Sequence, residues 1–364
     1  MHSINMHSKG DSVHYGTGAK HGWASEAGGH TIVNENGAIL EVKGLETSFM
    51  TPDGELPAVR DVSFSVRRGE CLGIVGESGS GKSVTCLSIM GLINAPGFIK
   101  QGEVDFQGKN VLAMSRSEQE DLRGGQIGMV FQDPLSSLNP VWSIERQMSD
   151  VITRHLGYSR KDARSRAIES LRQVGVPAPA ERLKQYPFQL SGGLRQRVMI
   201  AIALSCDPQL IIADEPTTAL DVSIQAQILD LLDGLKREIG FSLILVTHDL
   251  SIVANLADHV LVMYGGKVME MGSTEKIFEN PLCPYTMALI DSATSIDTDR
   301  PEDLRPIEGV PPDPRNLPPG CPFAPRCPQA TPECYEKMPD LRVEDEDHAV
   351  ACEHPLHHTH QANT

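Results

Sequence analysis

The chain has 364 residues, is 40% apolar and carries a formal net charge of −16. That length supports a large buried core plus a smaller unit, and the acidic balance opposes a nonspecific hold on nucleic acid, which needs clustered Lys and Arg. No segment approaches the roughly 18 consecutive apolar residues of a bilayer span. The N-terminal residues also lack the apolar stretch of a secretory signal, so the chain is expected in the cytosol with its thiols reduced.

Residues 1–37 are rich in Gly, His, Ser and Asn and read as a disordered tail, with His2, His7, His14, His21 and His30 as solvated residues. From Ile39 the pattern changes. "AILEVKGLETSF" and "VRDVSFSV" alternate as early strands, and "CLGIVG" is a short apolar run that stops at glycine. Further runs, "IGMVF", "QLIIAD", "SLILVT" and "HVLVMY", predict buried strands separated by helical stretches, hence an α/β domain around a largely parallel sheet. Residues 133–205 interrupt this alternation with mostly helical sequence, an inserted helical subdomain within a domain spanning 38–290. Residues 291–364 are rich in Pro and Asp and then in Cys, and predict a linker and a small irregular C-terminal domain.

"GESGSGKS", residues 76–83, follows the strand "CLGIV" and opens the helix "SVTCLSIMGL". In that strand–loop–helix setting Gly76, Gly79 and Gly81 let the backbone amides of Glu77, Ser78 and Ser80 face phosphate oxygens. The helix N-terminus adds partial positive charge. Lys82 can reach the β- and γ-phosphates, and the Ser83 hydroxyl can ligate Mg²⁺. "LIIADEP" supplies a second half: a buried strand ending in Asp214 and Glu215, carboxylates able to hold Mg²⁺ and to polarise a water. The two together predict an NTP hydrolysis site.

"LSGGLRQRV", residues 190–198, could simply cap a helix through Ser191. Coming shortly before "DEP", it closely resembles the signature motif of ABC-type ATPases, and the other landmarks of that family follow in order. Gln132 in "VFQDP" resembles its Q-loop, "ALD" at 219–221 its D-loop and His248 in "VTHD" its switch histidine. Phe49 stands where the family stacks an aromatic ring on adenine, often a Tyr. The resemblance implies an ABC-type P-loop ATPase in which two domains pack head to tail. Each ATP would be held between the phosphate loop of one and Ser191, Gly192 and Gly193 of the other, with Asp221 at the junction. Glu215 would be the general base, with Gln132 and His248 sensing the γ-phosphate and Ser83, Gln132 and Asp214 around Mg²⁺.

"VFQDPLSSLNP", "NPLCPYTMAL" and "GCPFAPRC" narrow the resemblance to the ATP-binding subunit of oligopeptide/dipeptide importers, some members of which import nickel or other small solutes. Cys283 departs from that pattern, at a position where relatives often carry His. What the resemblance implies is a subunit on the cytoplasmic side of the cell membrane, with a second and similar ATPase, two integral membrane permease subunits and an extracytoplasmic solute-binding protein as partners. A soluble ABC ATPase acting on ribosomes or DNA is the distant alternative. It is disfavoured by one phosphate loop, no sustained heptads and the negative charge.

Cys321, Cys327, Cys334 and Cys352 are separated by five, six and seventeen residues. Those spacings lack the close pairs of structural zinc sites and differ from the common ferredoxin run. Pro322, Pro325, Pro328 and Pro332 favour a loop that could wrap around a centre. Similar tails in some relatives hold a [4Fe–4S] cluster, so the resemblance favours iron–sulfur, with zinc or four unligated thiols as alternatives. Cys71, Cys86, Cys206 and Cys283 are expected as buried core thiols.

Overall fold

The computed structural model describes residues 37–218, 220–294 and 307–356. Residues 1–36 of the expected N-terminal tail and Ala219 of "ALD" fall outside them. The strands among the described residues are β1 (Ala38–Thr51), β2 (Gly54–Arg67), β3 (Cys71–Val75), β4 (Gly97–Phe106), β5 (Lys109–Asn110), β6 (Ile127–Val130), β7 (Leu210–Asp214), β8 (Ser242–Thr247), β9 (His259–Tyr264), β10 (Lys267–Ser273), β11 (Arg342–Asp345) and β12 (His348–Val350).

β3, β6, β7 and β8 are buried along their whole length. This is why they read as uninterrupted apolar runs: a parallel strand covered on both faces has no solvent side to alternate with. They form the middle of an eight-stranded sheet ordered β11-β12-β10-β9-β3-β8-β7-β6. β3 pairs parallel with β8 and β9, and β7 with β8 and β6. A second, antiparallel sheet, β2-β1-β4-β5, buries Leu40, Val42, Phe64, Val66, Val104 and Phe106 in the same core as Leu72, Ile74, Ile212 and Ile244. Each such side chain contributes about 1.5–3 kcal/mol on burial.

The segment between β6 and β7 is helical. Ser143, Ser159 and Ser191 cap the helices Ile144–Leu156, Arg160–Gln173 and Gly192–Leu204, each accepting a hydrogen bond from a first-turn amide. Gly157, at φ 66°, ends the first of them. Ile144, Met148 and Ile152 recur every fourth residue and pack against Ala163, Ala167, Leu171 and Val198 in a core that continues to Ile211 and Ala213 of β7. Among the described residues no helix is long and apolar enough to cross a membrane.

The C-terminal segment differs from the expected separate irregular unit. β12 pairs antiparallel with β10, Glu270 opposite Val350 and Gly272 opposite His348, so the segment extends the main sheet. Phe323 and Val350 enter one apolar cluster with Val262, Tyr264 and Tyr285. Two histidines fasten the join. His348 Nε2 lies 2.7 Å from Glu270 Oε1, both side chains at most 2% exposed, and Glu270 also accepts the amides of Leu282 and Cys283.

His259 bridges Glu70 Oε1 at 2.6 Å and Asp347 Oδ2 at 2.7 Å. Burial pulls its pKa down, but the hydrogen bonds to Asp347 and Glu70 and their charges prevail and raise it from 6.5 to about 9. A raised pKa stabilises the fold fully below the unfolded value near 6.5, and that contribution is lost as pH climbs through about 9. At about 1.4 kcal/mol per pKa unit the loss is on the order of 3 kcal/mol. Urea denaturation at pH 6 and pH 9.5 is expected to show His259→Gln less stable than wild type at the lower pH, with most of the difference gone at the higher. A difference independent of pH would exclude the protonated bridge.

Candidate functional site

Strand order brings together motifs that are far apart in the chain. β3, β8, β7 and β6 are consecutive neighbours, registered with Val75 opposite Thr247, Val246 opposite Asp214 and Ala213 opposite Val130. Their C-terminal ends therefore present residues 76–83, His248, the Asp214–Glu215 pair and Gln132 along one rim, the usual ligand side of a parallel sheet. A cavity of about 1050 Å³ opens there, lined by Phe49, Gly76, Glu77, Ser78, Gly79, Ser80, Gly81, Lys82, Ser83, Gln132, Glu215 and His248. Phe49 is fixed by close approach to Gly97, where a methyl would meet its ring at 2.6 Å.

Two glycines make the loop possible. Gly76 (φ 149°) and Gly81 (φ 103°) hold conformations that disfavour L side chains, and a Cβ would meet Met263 O at 2.1 Å and Ala58 O at 2.6 Å. Lys82 is 5% exposed, and its Nζ donates to the carbonyls of Gly76 (2.7 Å) and Glu77 (3.0 Å). Burial depresses its pKa, while Glu215, Asp214 and Glu77 push it back. Ser83 Oγ donates to Asp214 Oδ1 at 2.9 Å. Burial raises the Asp214 carboxyl, against the Ser83 hydrogen bond. Ser80 Oγ is buried without a hydrogen-bond partner among the described residues. A buried cation, an amide-rich loop with an orphaned hydroxyl and a hydroxyl–carboxylate pair fit a phosphate chain with a divalent cation beside it.

Glu215 has φ 44°, left-handed and strained for a non-glycine residue. Its amide donates to Val246 O, while Oε2 accepts from Gln132 Nε2 at 2.9 Å and Thr218 Oγ1 at 2.8 Å. His248 Nδ1 is 3.6 Å from Oε1. The ends of three strands, β6, β7 and β8, thus converge on one carboxylate facing the cavity.

Ser191, Gly192 and Gly193 do not join this group. With Asp221 they line a different surface cavity of about 720 Å³, and Thr218 borders both. Ser191 Oγ caps its own helix, accepting from Leu194 N at 3.4 Å. The sequence reasoning missed Thr218, Tyr285 and Arg326. Tyr285 Oη accepts the Glu77 amide at 2.9 Å, and Arg326 reaches the Glu77 carboxylate. "CPY" and "APR" mark both places, but nothing in their spacing connects them to residue 77.

The expected cysteine centre is corrected. Among the described residues no group of three or more His, Cys, Asp or Glu could hold a metal ion, so neither the [4Fe–4S] cluster nor zinc is supported at Cys321, Cys327, Cys334 and Cys352. Cys321, Cys327 and Cys352 pack as small apolar side chains against the cluster of Tyr264, Tyr285 and Phe323. Burial pushes the Cys321 thiol up to about 11 and raises Cys327 too. Cys352 instead pairs with Cys283; the hydrogen bond between them holds Cys352 below the usual thiol range and Cys283 above it. Cys334 Sγ meets Thr331 Oγ1 at 3.5 Å.

Residues 59–218 match the model of the ABC transporter family, and residues 269–334 match that of the oligopeptide/dipeptide transporter C-terminal region. The oligopeptide transport ATP-binding protein OppD of Bacillus subtilis is 48% identical, with 86% of this chain and 87% of that protein covered. The dipeptide transport ATP-binding protein DppD of Escherichia coli is 46% identical over 88% of this chain and 97% of its own. Among solved structures, a dimeric ATP-binding cassette in a post-hydrolysis state bound to ADP and Pi superposes with a TM-score of 0.58 at 28% identity, covering 65% of this chain and 98% of that one. With the phosphate loop and its facing carboxylates on one rim and both family models matched, the chain belongs to the ATP-binding subunits of the oligopeptide/dipeptide ABC transporter family.

Proposed function

We propose that this chain hydrolyses ATP to drive import of di- and oligopeptides across the cytoplasmic membrane, from its cytoplasmic side. The observation that carries the reading is the convergence of Lys82, Ser83, Glu215, Gln132 and His248 on one cavity, in a chain similar over 86–88% of its length to oligopeptide and dipeptide transport ATP-binding proteins. The phosphate-loop amides, Lys82 and the N-terminus of the helix Lys82–Ile89 would bind the triphosphate, with Phe49 against adenine. Ser83, Asp214 and Gln132 would hold Mg²⁺, which when bound offsets charge on the β- and γ-phosphates. Glu215 takes a proton from water as its oxygen attacks the γ-phosphorus in line, the bond to the β-phosphate oxygen breaks, and ADP leaves. Gln132 and His248, both beside Glu215, hold that carboxylate and respond to the γ-phosphate.

The site takes a second cassette. Ser191–Gly193 and Asp221 face a cavity of their own, which supports a head-to-tail arrangement in which each chain's signature residues close the other's phosphate loop. We take the partner to be a similar but distinct ATPase, the pair docking through residues 133–205 onto two permease subunits served by an extracytoplasmic solute-binding protein. Exposed Leu135, Val141 and Phe188 in that subdomain suit such docking. We place the ATPase unit at residues 38–290. Proteoliposomes holding the assembled transporter are expected to accumulate labelled dipeptide or oligopeptide only with ATP and the binding protein. Uptake of Ni²⁺ but no peptide would overturn the substrate, and a complex with one kind of ATPase chain would overturn the heterodimer.

A further inference from the structure

Arg326 lies in the short turn Ala324–Arg326 of the cysteine-rich segment, yet all five of its guanidinium hydrogens are used around the phosphate loop. Nη1 donates to Glu77 Oε2 at 2.5 Å and to Tyr264 Oη at 3.0 Å. Nη2 donates to Glu77 Oε1 and to Ile307 O, both at 3.1 Å, and Nε to Glu308 O at 2.9 Å. The side chain is 5% exposed. Beneath it Tyr264, Tyr285 and Phe323 pack with ring centroids 4.5–5.3 Å apart, and Tyr285 Oη takes the Glu77 amide. The Glu77 carbonyl meanwhile accepts from Lys82 Nζ. One loop residue is therefore held by its amide, its carbonyl and its carboxylate, two of the three from the C-terminal third of the chain.

Glu77 and Arg326 both line the cavity assigned above to ATP. A lone carboxylate there would repel a polyphosphate, and a bidentate arginine cancels it while fixing its direction. Resting on that assignment, we propose that Arg326 is a positioning residue for ATP binding: through Glu77 it neutralises and sets the phosphate loop, making the C-terminal segment a part of the nucleotide site in the same chain. Ile307, Gly309 and Pro311, which line the same cavity, bring that segment to its mouth.

The test is MgATP affinity and steady-state ATPase kinetics of the assembled transporter carrying Arg326→Ala, Arg326→Lys, and Arg326→Ala combined with Glu77→Gln. Arg326→Ala is expected to weaken MgATP binding roughly 10- to 100-fold, the loss of charge-assisted hydrogen bonds. The defect should fall on KM for ATP more than on kcat, with Arg326→Lys intermediate because an ammonium cannot form the fork. Adding Glu77→Gln to Arg326→Ala should recover most of the affinity, since the repelling charge is gone. A purely structural arginine predicts a double variant no better than Arg326→Ala, and that result would overturn the proposal even if Arg326→Ala proves poorly folded. Lys82→Ala serves as reference: if it loses MgATP while Arg326→Ala does not, the inference fails alone. If wild type and Lys82→Ala bind MgATP equally, the nucleotide assignment itself fails.

Discussion

Replacing Glu215 with Gln should cut kcat for ATP hydrolysis by about 10²–10⁴-fold, the usual worth of a general base, while leaving MgATP binding intact. Gln keeps the length of the side chain and makes the same demand on the left-handed backbone at φ 44°. It can still meet Gln132 Nε2 and Thr218 Oγ1 through its amide oxygen. Only the capacity to accept a proton is removed. Single-turnover hydrolysis beside nucleotide binding separates the two effects, and a fall in kcat of less than about tenfold would remove Glu215 from the proposed role.

Lys82→Ala should act on the other half of the reaction. In the structure its Nζ holds two carbonyls of the loop and is buried among Glu215, Asp214 and Glu77. Alanine removes the cation that offsets these carboxylates as well as a donor to the phosphates. With charge-assisted hydrogen bonds worth about 1.5–3 kcal/mol each, MgATP affinity should fall by about 10²-fold or more. Calorimetric titration would read this directly, and unchanged affinity would contradict the binding role of Lys82.

The sequence disclosed most where burial on both sides of the sheet left no polar residue to break the run. "CLGIV", "LIIAD" and "SLILVT" are wholly buried strands, and their order then forces the rim that gathers residues 76–83, 214–215 and 248. β4 escaped notice because Lys100, Gln101 and Glu103 sit in an antiparallel strand with a largely open face. β11 and β12 are short, and "RVED" is exposed at every position. Within the site, nothing in local pattern could show that Arg326 meets Glu77, because the two lie 249 positions apart in the chain and meet only in the tertiary fold. The four C-terminal cysteines misled for a related reason. Spacing among prolines resembles a ligand set, whereas partial burial beside three aromatic rings makes Cys321, Cys327 and Cys352 packing groups.

The pairing of β12 with β10 bears on biosynthesis. β10 ends at Ser273, but its outer neighbour begins only at His348, so a chain leaving the ribosome displays every nucleotide motif before that sheet edge is covered. At about 5–20 residues per second the bare edge persists for several seconds in each new chain, with unpaired amides open to any other strand. A stop codon shortly after Arg326 would leave every nucleotide motif encoded and remove the cover together with Asp347 and His348, the residues that fasten it to His259 and Glu270. Such a product is a template for self-association, and cellular quality control would meet it before any transporter assembled.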